Sequence, residues 1–118
     1  MASTVLFISC SKGQFTQISM DELAQRLQTE SDYILLDVRT PEEFSNGHLP
    51  GAICIPNESI GKQEITSLPN KKQRIYIYCR SGRRSQTASK KMLQQGLKVY
   101  DMKGGFNAWK AAGMPVEK

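Results

Sequence analysis

The sequence predicts an α/β fold in which a parallel sheet is covered by helices on both faces. Strand-length apolar runs alternate with helical patterns, and one run is almost continuously apolar, as in strands buried on both sides. The 118 residues suit one domain, and no repeat, low-complexity segment or interdomain linker divides them. We therefore expect a single domain over residues 15–118, preceded by an N-terminal extension or edge strand over residues 1–14.

The first predicted strand and helix follow this extension directly. Residues 15–18 form a short strand, and Ser19 with Glu22 three residues later is the capping-box pattern that starts a helix. The apolar run over residues 33–38 then predicts a strand that is buried on both faces.

A second helix start follows this buried strand. Thr40 is placed to cap the helix, Pro41 occupies its first turn, and Glu43 closes a capping box. The Asn46-Gly47 pair ends the helix, and residues 52–56 predict another short strand.

The second half of the chain continues the alternation. Residues 57–73 are polar and predict an irregular helix and a loop, whereas residues 74–78 predict a strand. A helix is expected over residues 85–95, a strand over residues 99–102 and a last short helix over residues 106–110. Such alternation gives a parallel sheet, whose functional sites lie beyond the carboxyl ends of its strands.

The composition argues against a nucleic-acid or membrane partner. The net charge is +5, from 16 basic and 11 acidic residues, but the basic residues neither form a long run nor alternate with aromatic residues. No stretch approaches the roughly 20 apolar residues that a membrane-spanning helix needs. The first residues lack the basic region of a secretory signal, so the sequence predicts a cytoplasmic protein.

The cysteines argue against metal and disulfide chemistry. Cys10, Cys54 and Cys79 are odd in number, widely spaced and without partner residues at the spacing of zinc ligands. We therefore expect no metal and no cofactor. A free, reactive thiol also fits a reducing compartment.

Cys79 is the candidate nucleophile. It lies between a predicted strand and a predicted helix, where backbone N–H groups converge and the helix N-terminus adds partial positive charge. Arg80, Arg83 and Arg84 follow within five residues. Each of these features favours the thiolate over the thiol, and a focused positive field favours a small anionic substrate.

Five motifs together resemble the rhodanese homology domain. In chain order they are Asp37-Val38-Arg39, Glu42-Glu43-Phe44, Gly47-His48-Leu49-Pro50-Gly51-Ala52, Cys79-Arg80-Ser81-Gly82-Arg83-Arg84-Ser85 and Gly104-Gly105-Phe106-Asn107-Ala108-Trp109. The resemblance covers roughly residues 15–115, with the motifs in the order of the family. The chain is similar to free-standing, single-domain members that act as thiosulfate sulfurtransferases.

The resemblance implies a fold and a reaction. The fold is a three-layer domain with a central, mostly parallel sheet, and the cysteine that carries sulfur as a persulfide corresponds to Cys79. The expected reaction has two half-reactions, in which Cys79 takes the outer sulfur of thiosulfate or a persulfide donor and passes it to cyanide or a thiol. The partners are then a small anionic sulfur donor and a thiophilic acceptor, with a protein as the alternative acceptor.

The residues expected to bind the substrate are Arg80, Ser81, Gly82, Arg83 and Arg84. We expect the backbone N–H groups of residues 80–84 to surround the terminal sulfur, with Gly82 permitting the necessary loop geometry. Arg84 either holds the sulfonate oxygens of the donor or fixes the loop. Arg80 and Arg83 guide the anion at the rim of the site.

Three further residues are expected to support the site. Asp37 and Arg39 flank the end of a buried strand, and Asp37 is expected to accept hydrogen bonds that fix nearby loops rather than to act as a catalytic carboxylate. Ser85 is expected to cap the following helix, with a hydroxyl facing the site as the alternative.

Two other reactive side chains receive structural interpretations. His48 is expected to be a turn residue that packs against the sheet. Cys54 is expected to fill the core, and the alternative is that Cys54 or Cys10 forms a disulfide with Cys79.

The length of the loop separates sulfur chemistry from phosphate chemistry. Four residues lie between Cys79 and Arg84, whereas cysteine phosphatases and the related arsenate-handling domains have five before their arginine. The shorter loop encloses a smaller bowl, and a phosphatase or arsenate reductase is therefore the minor alternative. A sulfur-relay or regulatory interaction module is another alternative, although the cysteine and its arginines are intact.

Overall fold

The computed structural model describes residues 15–60 and 73–118. Its strands are β1 (Thr16–Ile18), β2 (Tyr33–Asp37), β3 (Ile53–Cys54), β4 (Arg74–Tyr78) and β5 (Lys98–Met102). Its helices are α1 (Met20–Thr29), α2 (Pro41–Ser45), α3 (Arg83–Gln94) and α4 (Gly105–Ala111), and a short 3-10 helix spans Asn57–Ser59. The extension predicted over residues 1–14 and most of the irregular segment predicted over residues 57–73 lie outside the described residues.

The five strands form one sheet in the order β1-β5-β4-β2-β3, and every neighbouring pair is parallel. The predicted parallel sheet is therefore confirmed. Asp37 at the end of β2 is in register with Tyr78 of β4 and with Cys54 of β3. The carboxyl ends of three adjacent strands thus lie in one row, and the loops that follow them meet at the same edge.

Helices cover both faces of the sheet, which confirms the predicted three layers. On one face Ala88 and Met92 of α3 pack on Ile77 and Val99, and Cys79 belongs to the same buried cluster. On the other face α1 and α4 pack on the sheet through a second cluster, which includes Leu23, Leu35, Tyr76, Tyr78, Phe106 and Trp109. Cys79 is therefore anchored between the sheet and α3.

The helix starts follow the sequence pattern in part. At α2 the prediction is confirmed, because Thr40 accepts a hydrogen bond from Glu43 N while the Glu43 side chain accepts one from Thr40 N. At α1 only half of the capping box forms. Ser19 Oγ accepts from Glu22 N at 3.0 Å, but the Glu22 carboxylate pairs instead with Arg26, one helical turn later.

Two predicted boundaries were wrong. Helix α3 begins at Arg83 rather than at Ser85, because Gly82 adopts a left-handed conformation with φ of +108° and turns the chain into the helix earlier. Ser85 is therefore not the cap, and its hydroxyl donates back to the Gly82 carbonyl at 3.3 Å. The strand predicted over residues 52–56 has only the two residues of β3.

No helix in the described ranges is long and apolar enough to cross a membrane.

Candidate active site

The candidate site lies in the loop between β4 and α3, at the carboxyl edge of the sheet. Cys79 directly follows β4, and its Sγ accepts a hydrogen bond from Gly82 N at 3.0 Å. The left-handed conformation of Gly82 turns this N–H toward the sulfur, and a side chain there would be strained. The loop therefore curls around its own cysteine.

The sulfur is buried as well as hydrogen-bonded. Cys79 is 1% exposed, and within residues 15–60 and 73–118 the only hydrogen bond to its Sγ comes from Gly82. Besides this bond, α3 directs the N–H groups of its first turn toward the loop, because these groups have no carbonyl within the helix to bind. Those N–H groups belong to Arg83, Arg84 and Ser85, so the loop lies at the positive end of a 12-residue helix.

The N-terminal residues of α4 bind two backbone carbonyl groups of the same loop. Phe106 N donates to the Cys79 carbonyl at 2.7 Å, and Asn107 N donates to the Arg80 carbonyl at 3.0 Å. Gly105 permits this approach, since a Cβ at that position would lie 2.6 Å from both carbonyl oxygens. The glycine at position 105, the first residue of α4, is thus explained by the close contact of two backbones.

Arg84 joins the loop to α2. Its guanidinium group donates to both carboxylate oxygens of Glu43, at 2.9 and 3.1 Å. Arg84 and the capping bond from Thr40 lower the pKa of Glu43 to about 2. Of the two roles expected for Arg84, these contacts favour fixing the loop, because the guanidinium is already engaged by a carboxylate.

The other predicted substrate-binding residues lie within the loop itself and at the first position of α3. Arg80, Ser81 and Arg83 are exposed, whereas Gly82 is buried beneath them. The structure therefore brings Cys79, Gly82 and Arg84 together, and it leaves the remaining side chains at the rim.

A buried polar network lies beside the loop, at the end of β2. Asp37 and Arg39 are 0% and 3% exposed, and Arg39 donates to Asp37 through its backbone N–H, Nε and Nη2 at 2.7–3.0 Å. Arg39 Nη2 also donates to the Gly47 carbonyl at 2.6 Å. Asp37 therefore accepts the kind of hydrogen bonds expected of a residue that fixes loops.

Tyr78 completes this network and was missed from the sequence. Its hydroxyl donates to Asp37 Oδ2 at 2.7 Å and accepts from Leu49 N at 3.1 Å. Burial and the Asp37 charge raise the pKa of Tyr78. Tyr78 appeared only as part of an apolar strand, and the signal that could have revealed its role is its position directly before Cys79 and in register with Asp37.

Asp101 is a second buried carboxylate that the sequence analysis did not single out. It lies on β5, on the face that α3 covers, and burial raises its pKa. Gln17 Nε2 donates to its Oδ2 at 3.2 Å, while Oδ1 has no hydrogen-bond partner among the described residues. Ser85, at the start of α3, and Gln17 act in the opposite direction to burial and lower the Asp101 pKa.

His48 is a buried turn residue, but its packing differs from the prediction. Its ring stacks on Phe44 of α2 at a centroid distance of 3.7 Å, and Nδ1 lies 2.8 Å from the Phe44 carbonyl. Its backbone pairs with Glu117 near the end of the chain. The expectation that His48 packs against the sheet was therefore wrong, because α2 and the C-terminal segment enclose the ring.

The prediction that Cys54 fills the core was wrong. It is partly buried at the end of β3, where its Sγ lies 3.6 Å from the Arg39 carbonyl and burial raises its thiol pKa. Cys54, Asp37 and Tyr78 share a register row and hence a face of the sheet, whereas Cys79 packs on the opposite face. The structure does not bring Cys54 and Cys79 together, and Cys10 lies outside the described residues.

A cleft of about 310 Å³ adjoins the loop on the side of α2 and α4. Its lining residues are Arg39, Glu43, Asn46, Gly47, Arg80, Phe106, Asn107 and Lys110. Phe106 and Trp109 are both buried in the core, and Phe106 also lines this cleft. Asn107 and Lys110 were not predicted as site residues.

Comparison with known proteins identifies the family of the chain. The family model described as the rhodanese-like domain matches residues 19–112. A sulfurtransferase of Allochromatium vinosum is 38% identical over 101 residues, which cover 85% of this chain and 92% of that protein. The thiosulfate sulfurtransferase GlpE of Pseudoalteromonas translucida is 35% identical over 99 residues, which cover 83% of this chain and 91% of that protein.

The solved structures agree with the fold as well. The rhodanese-like domain of an Anabaena sp. protein, solved by solution NMR, is similar with a TM-score of 0.78 and 32% identity. The match covers 88% of this chain and 80% of that domain. With a family match over most of its length, a parallel sheet and a cysteine loop at the sheet's carboxyl edge, the chain belongs to the family of rhodanese-like domains.

Proposed function

We propose that this protein is a sulfurtransferase that carries a sulfane sulfur on Cys79. The donor is thiosulfate or a persulfide, and the acceptor is cyanide or a thiol. The observation that carries the proposal is the Gly82 N–H bond to Cys79 Sγ, made within a rhodanese-like fold at the positive end of α3. Residues 15–118 act as one domain in this proposal, and a free reactive thiol suits the reducing cytoplasm.

The first half-reaction loads the cysteine. The Cys79 thiolate attacks the outer sulfur of thiosulfate, and a new sulfur–sulfur bond forms to Sγ. The bond inside thiosulfate breaks, and sulfite leaves with its electron pair. No separate oxidant is required, because the sulfane sulfur arrives already oxidised.

The second half-reaction transfers the outer sulfur from the Cys79 persulfide to the acceptor. Cyanide or a thiolate attacks the outer sulfur of the Cys79 persulfide, and the bond between Sγ and that sulfur breaks. Its electron pair returns to Sγ, so Cys79 is again a thiolate. The product is thiocyanate or a new persulfide, and the kinetics are expected to be ping-pong.

The loop supports these steps by stabilising negative charge on sulfur. Gly82 N–H already donates to Sγ, and the first-turn N–H groups of α3 add a positive field at the same place. In comparable oxyanion sites one such donor contributes about 2.7–4 kcal/mol to the stabilisation of charge. Glu43 and α4 keep the loop in this conformation through Arg84 and through the Cys79 and Arg80 carbonyls.

Two alternatives make different predictions. A cysteine phosphatase or arsenate reductase would need room for a tetrahedral oxyanion, and the loop with four residues between Cys79 and Arg84 disfavours it. A sulfur-relay module would keep the persulfide and pass its sulfur to a protein partner. A regulatory module would bind a protein partner without carrying sulfur.

The test is the intact mass of the protein after incubation with thiosulfate and removal of the excess. Wild-type protein and the Cys54→Ser variant are expected to gain one sulfur atom, and the Cys79→Ser variant none. Cys54→Ser is the matched control, because Cys54 is a thiol at the same edge of the sheet but on the other face. No gain in the wild type would contradict the proposal, and hydrolysis of a phosphate ester by the same protein would then support the phosphatase.

A further inference from the structure

The cleft beside the nucleophile loop has the size of a small-molecule site. Its volume of about 310 Å³ lies at the lower end of the range for ligand pockets. It is continuous with the loop, because Arg80 lines the cleft and directly follows Cys79. Phe106 and Asn107 line it too, and their backbone N–H groups bind the Cys79 and Arg80 carbonyls. Cleft and loop therefore keep a fixed relation to each other.

The charges around the cleft do not cancel. Arg39 is paired with Asp37, and Glu43 is paired with Arg84, so these two lining residues contribute little net charge. Arg80 and Lys110 are exposed at the cleft, and neither forms an ion pair with another residue of the described ranges. Two cations are thus left facing a cleft that also offers the amide side chains of Asn46 and Asn107. A small anion with hydrogen-bonding oxygens matches this lining.

We infer that this cleft binds the carboxylate of a small thiol acceptor, and that Lys110 is the residue that selects for it. The inference rests on the proposed function and names the acceptor class. Arg80 also lies next to the incoming sulfur donor, whereas Lys110 is one helix away on α4. A substitution at Lys110 therefore changes binding of the acceptor without changing binding of the donor.

The transfer step is balanced with such an acceptor. With its carboxylate near Lys110, the acceptor's thiolate attacks the outer sulfur of the Cys79 persulfide. A bond forms between these two sulfur atoms, the bond to Cys79 Sγ breaks, and Sγ keeps the electron pair. One persulfide replaces another, so no oxidant or reductant takes part.

Lys110 also has a structural interpretation that the test must separate. It lies in the last turn of α4, where a cation complements the helix dipole, and its Nζ is 5.7 Å from the centre of the Phe106 ring. A structural role would affect all acceptors equally. Recognition of a carboxylate affects only acceptors that carry one.

The experiment compares two thiols that differ by one carboxylate, 3-mercaptopropionate and 2-mercaptoethanol. Cys79 is first loaded from thiosulfate, the excess is removed, and loss of the extra sulfur is followed by intact mass at acceptor concentrations below saturation. The variant is Lys110→Gln. Lys98→Gln is the control, because Lys98 is an exposed lysine on β5 at the opposite end of the sheet.

Lys110→Gln is expected to slow transfer to 3-mercaptopropionate about three- to fivefold, as for loss of one surface charge pair, and to leave transfer to 2-mercaptoethanol unchanged. Added salt should reduce the difference. An equal effect on both thiols, or no effect on either, would overturn the inference while leaving the proposed function intact. Failure of the wild type to gain sulfur would overturn the proposed function itself, and this inference with it.

Discussion

Two polar regions lie side by side at the carboxyl edge of the sheet, and they differ in how fully they are hydrogen-bonded. In the Asp37–Arg39–Tyr78 network each member has a close, charged or hydroxyl partner and is shielded from water. In the Cys79 loop the sulfur accepts a hydrogen bond from Gly82 alone among the described residues. The first region therefore positions neighbouring loops, while the second surrounds the atom that changes its bonding in the proposed reaction.

The two regions are connected through α2. Arg39 holds the Gly47 carbonyl just after α2, and Glu43 within α2 holds Arg84 at the end of the nucleophile loop. Contacts from both regions thus hold α2 and the segment that follows its end. Substitutions in each region separate the contributions of the two regions.

The largest effect is expected at the buried ion pair. Arg39→Met leaves the Asp37 charge buried without its main partner, so the free energy of unfolding should fall by about 3–5 kcal/mol. Arg74→Met is the control, because Arg74 pairs with Glu30 across 3.6 Å while its side chain is 49% exposed, and about 1 kcal/mol or less is expected there. Urea denaturation measures both, and equal losses would contradict the positioning role of the network.

The next effect concerns the backbone contact that holds the loop. In Gly105→Ala the new Cβ would lie 2.6 Å from the Cys79 and Arg80 carbonyl oxygens, so α4 must move away from the loop. We expect a loss of about 2–3 kcal/mol and at least tenfold slower loading of sulfur from thiosulfate.

Gly113→Ala is the matched control for this substitution. Gly113 also has a positive φ, of +73°, but a Cβ there meets no atom within 4 Å. Backbone strain alone is expected to cost about 1 kcal/mol, with the rate of sulfur loading unchanged. If both variants load sulfur equally slowly, the close contact at Gly105 does not shape the loop.

A smaller effect is expected for the pair that ties the loop to α2. Glu43→Gln should reduce stability by about 1 kcal/mol and slow sulfur loading, whereas the exposed neighbour Glu42→Gln should change neither. Because Arg84 lowers the pKa of Glu43 from 4.5 to about 2, the contribution is complete above pH 4.5 and is lost as the pH falls toward 2. Denaturation midpoints of variant and wild type should therefore converge over that interval, and a constant gap would argue against the pair.

The smallest effect is expected at the second buried carboxylate, Asp101. Asp101→Asn should raise the free energy of unfolding at pH 7 by about 0.5 kcal/mol, since burial penalises the ionised Asp101 and Oδ1 has no partner in the described part of the chain. Because burial raises the Asp101 pKa, this gain should appear only as the pH rises above the ordinary value of 3.8.

Asp37→Asn is expected to change stability in the opposite direction. Asp37 has a guanidinium and a hydroxyl as partners, so its amide substitute loses charge-assisted hydrogen bonds. Parallel urea titrations of both variants measure the difference. A shift of the same sign at both positions would mean that pairing does not distinguish the two carboxylates.

The order of strands and helices could be predicted from the sequence because it depends on local signals. The apolar runs of β2 and β4 and the capping pattern at Thr40 each act over a few residues. The start of α3 was misplaced because the left-handed turn at Gly82 depends on the loop closing around Cys79. A serine two residues later offered a more familiar cap.

The site itself could be predicted only where one motif contains it. Cys79 and its loop are contiguous, so the sequence pointed to them directly. Tyr78, Asn107 and Lys110 belong to the site region through sheet register and the packing of α4, which no short pattern encodes. Glu43 was recognised as part of a helix cap, but its pairing with Arg84, 41 positions along the chain, could not be deduced.

The most direct test of sulfur transfer through Cys79 is the amount of sulfite released when the protein meets thiosulfate without any acceptor. If Cys79 takes up one sulfur and holds it, wild-type protein should release about one sulfite per chain in a single burst and then stop. Cys79→Ser should release none. Continuous sulfite release without an acceptor, or the absence of a burst from folded wild-type protein, would contradict a sulfur carried on Cys79.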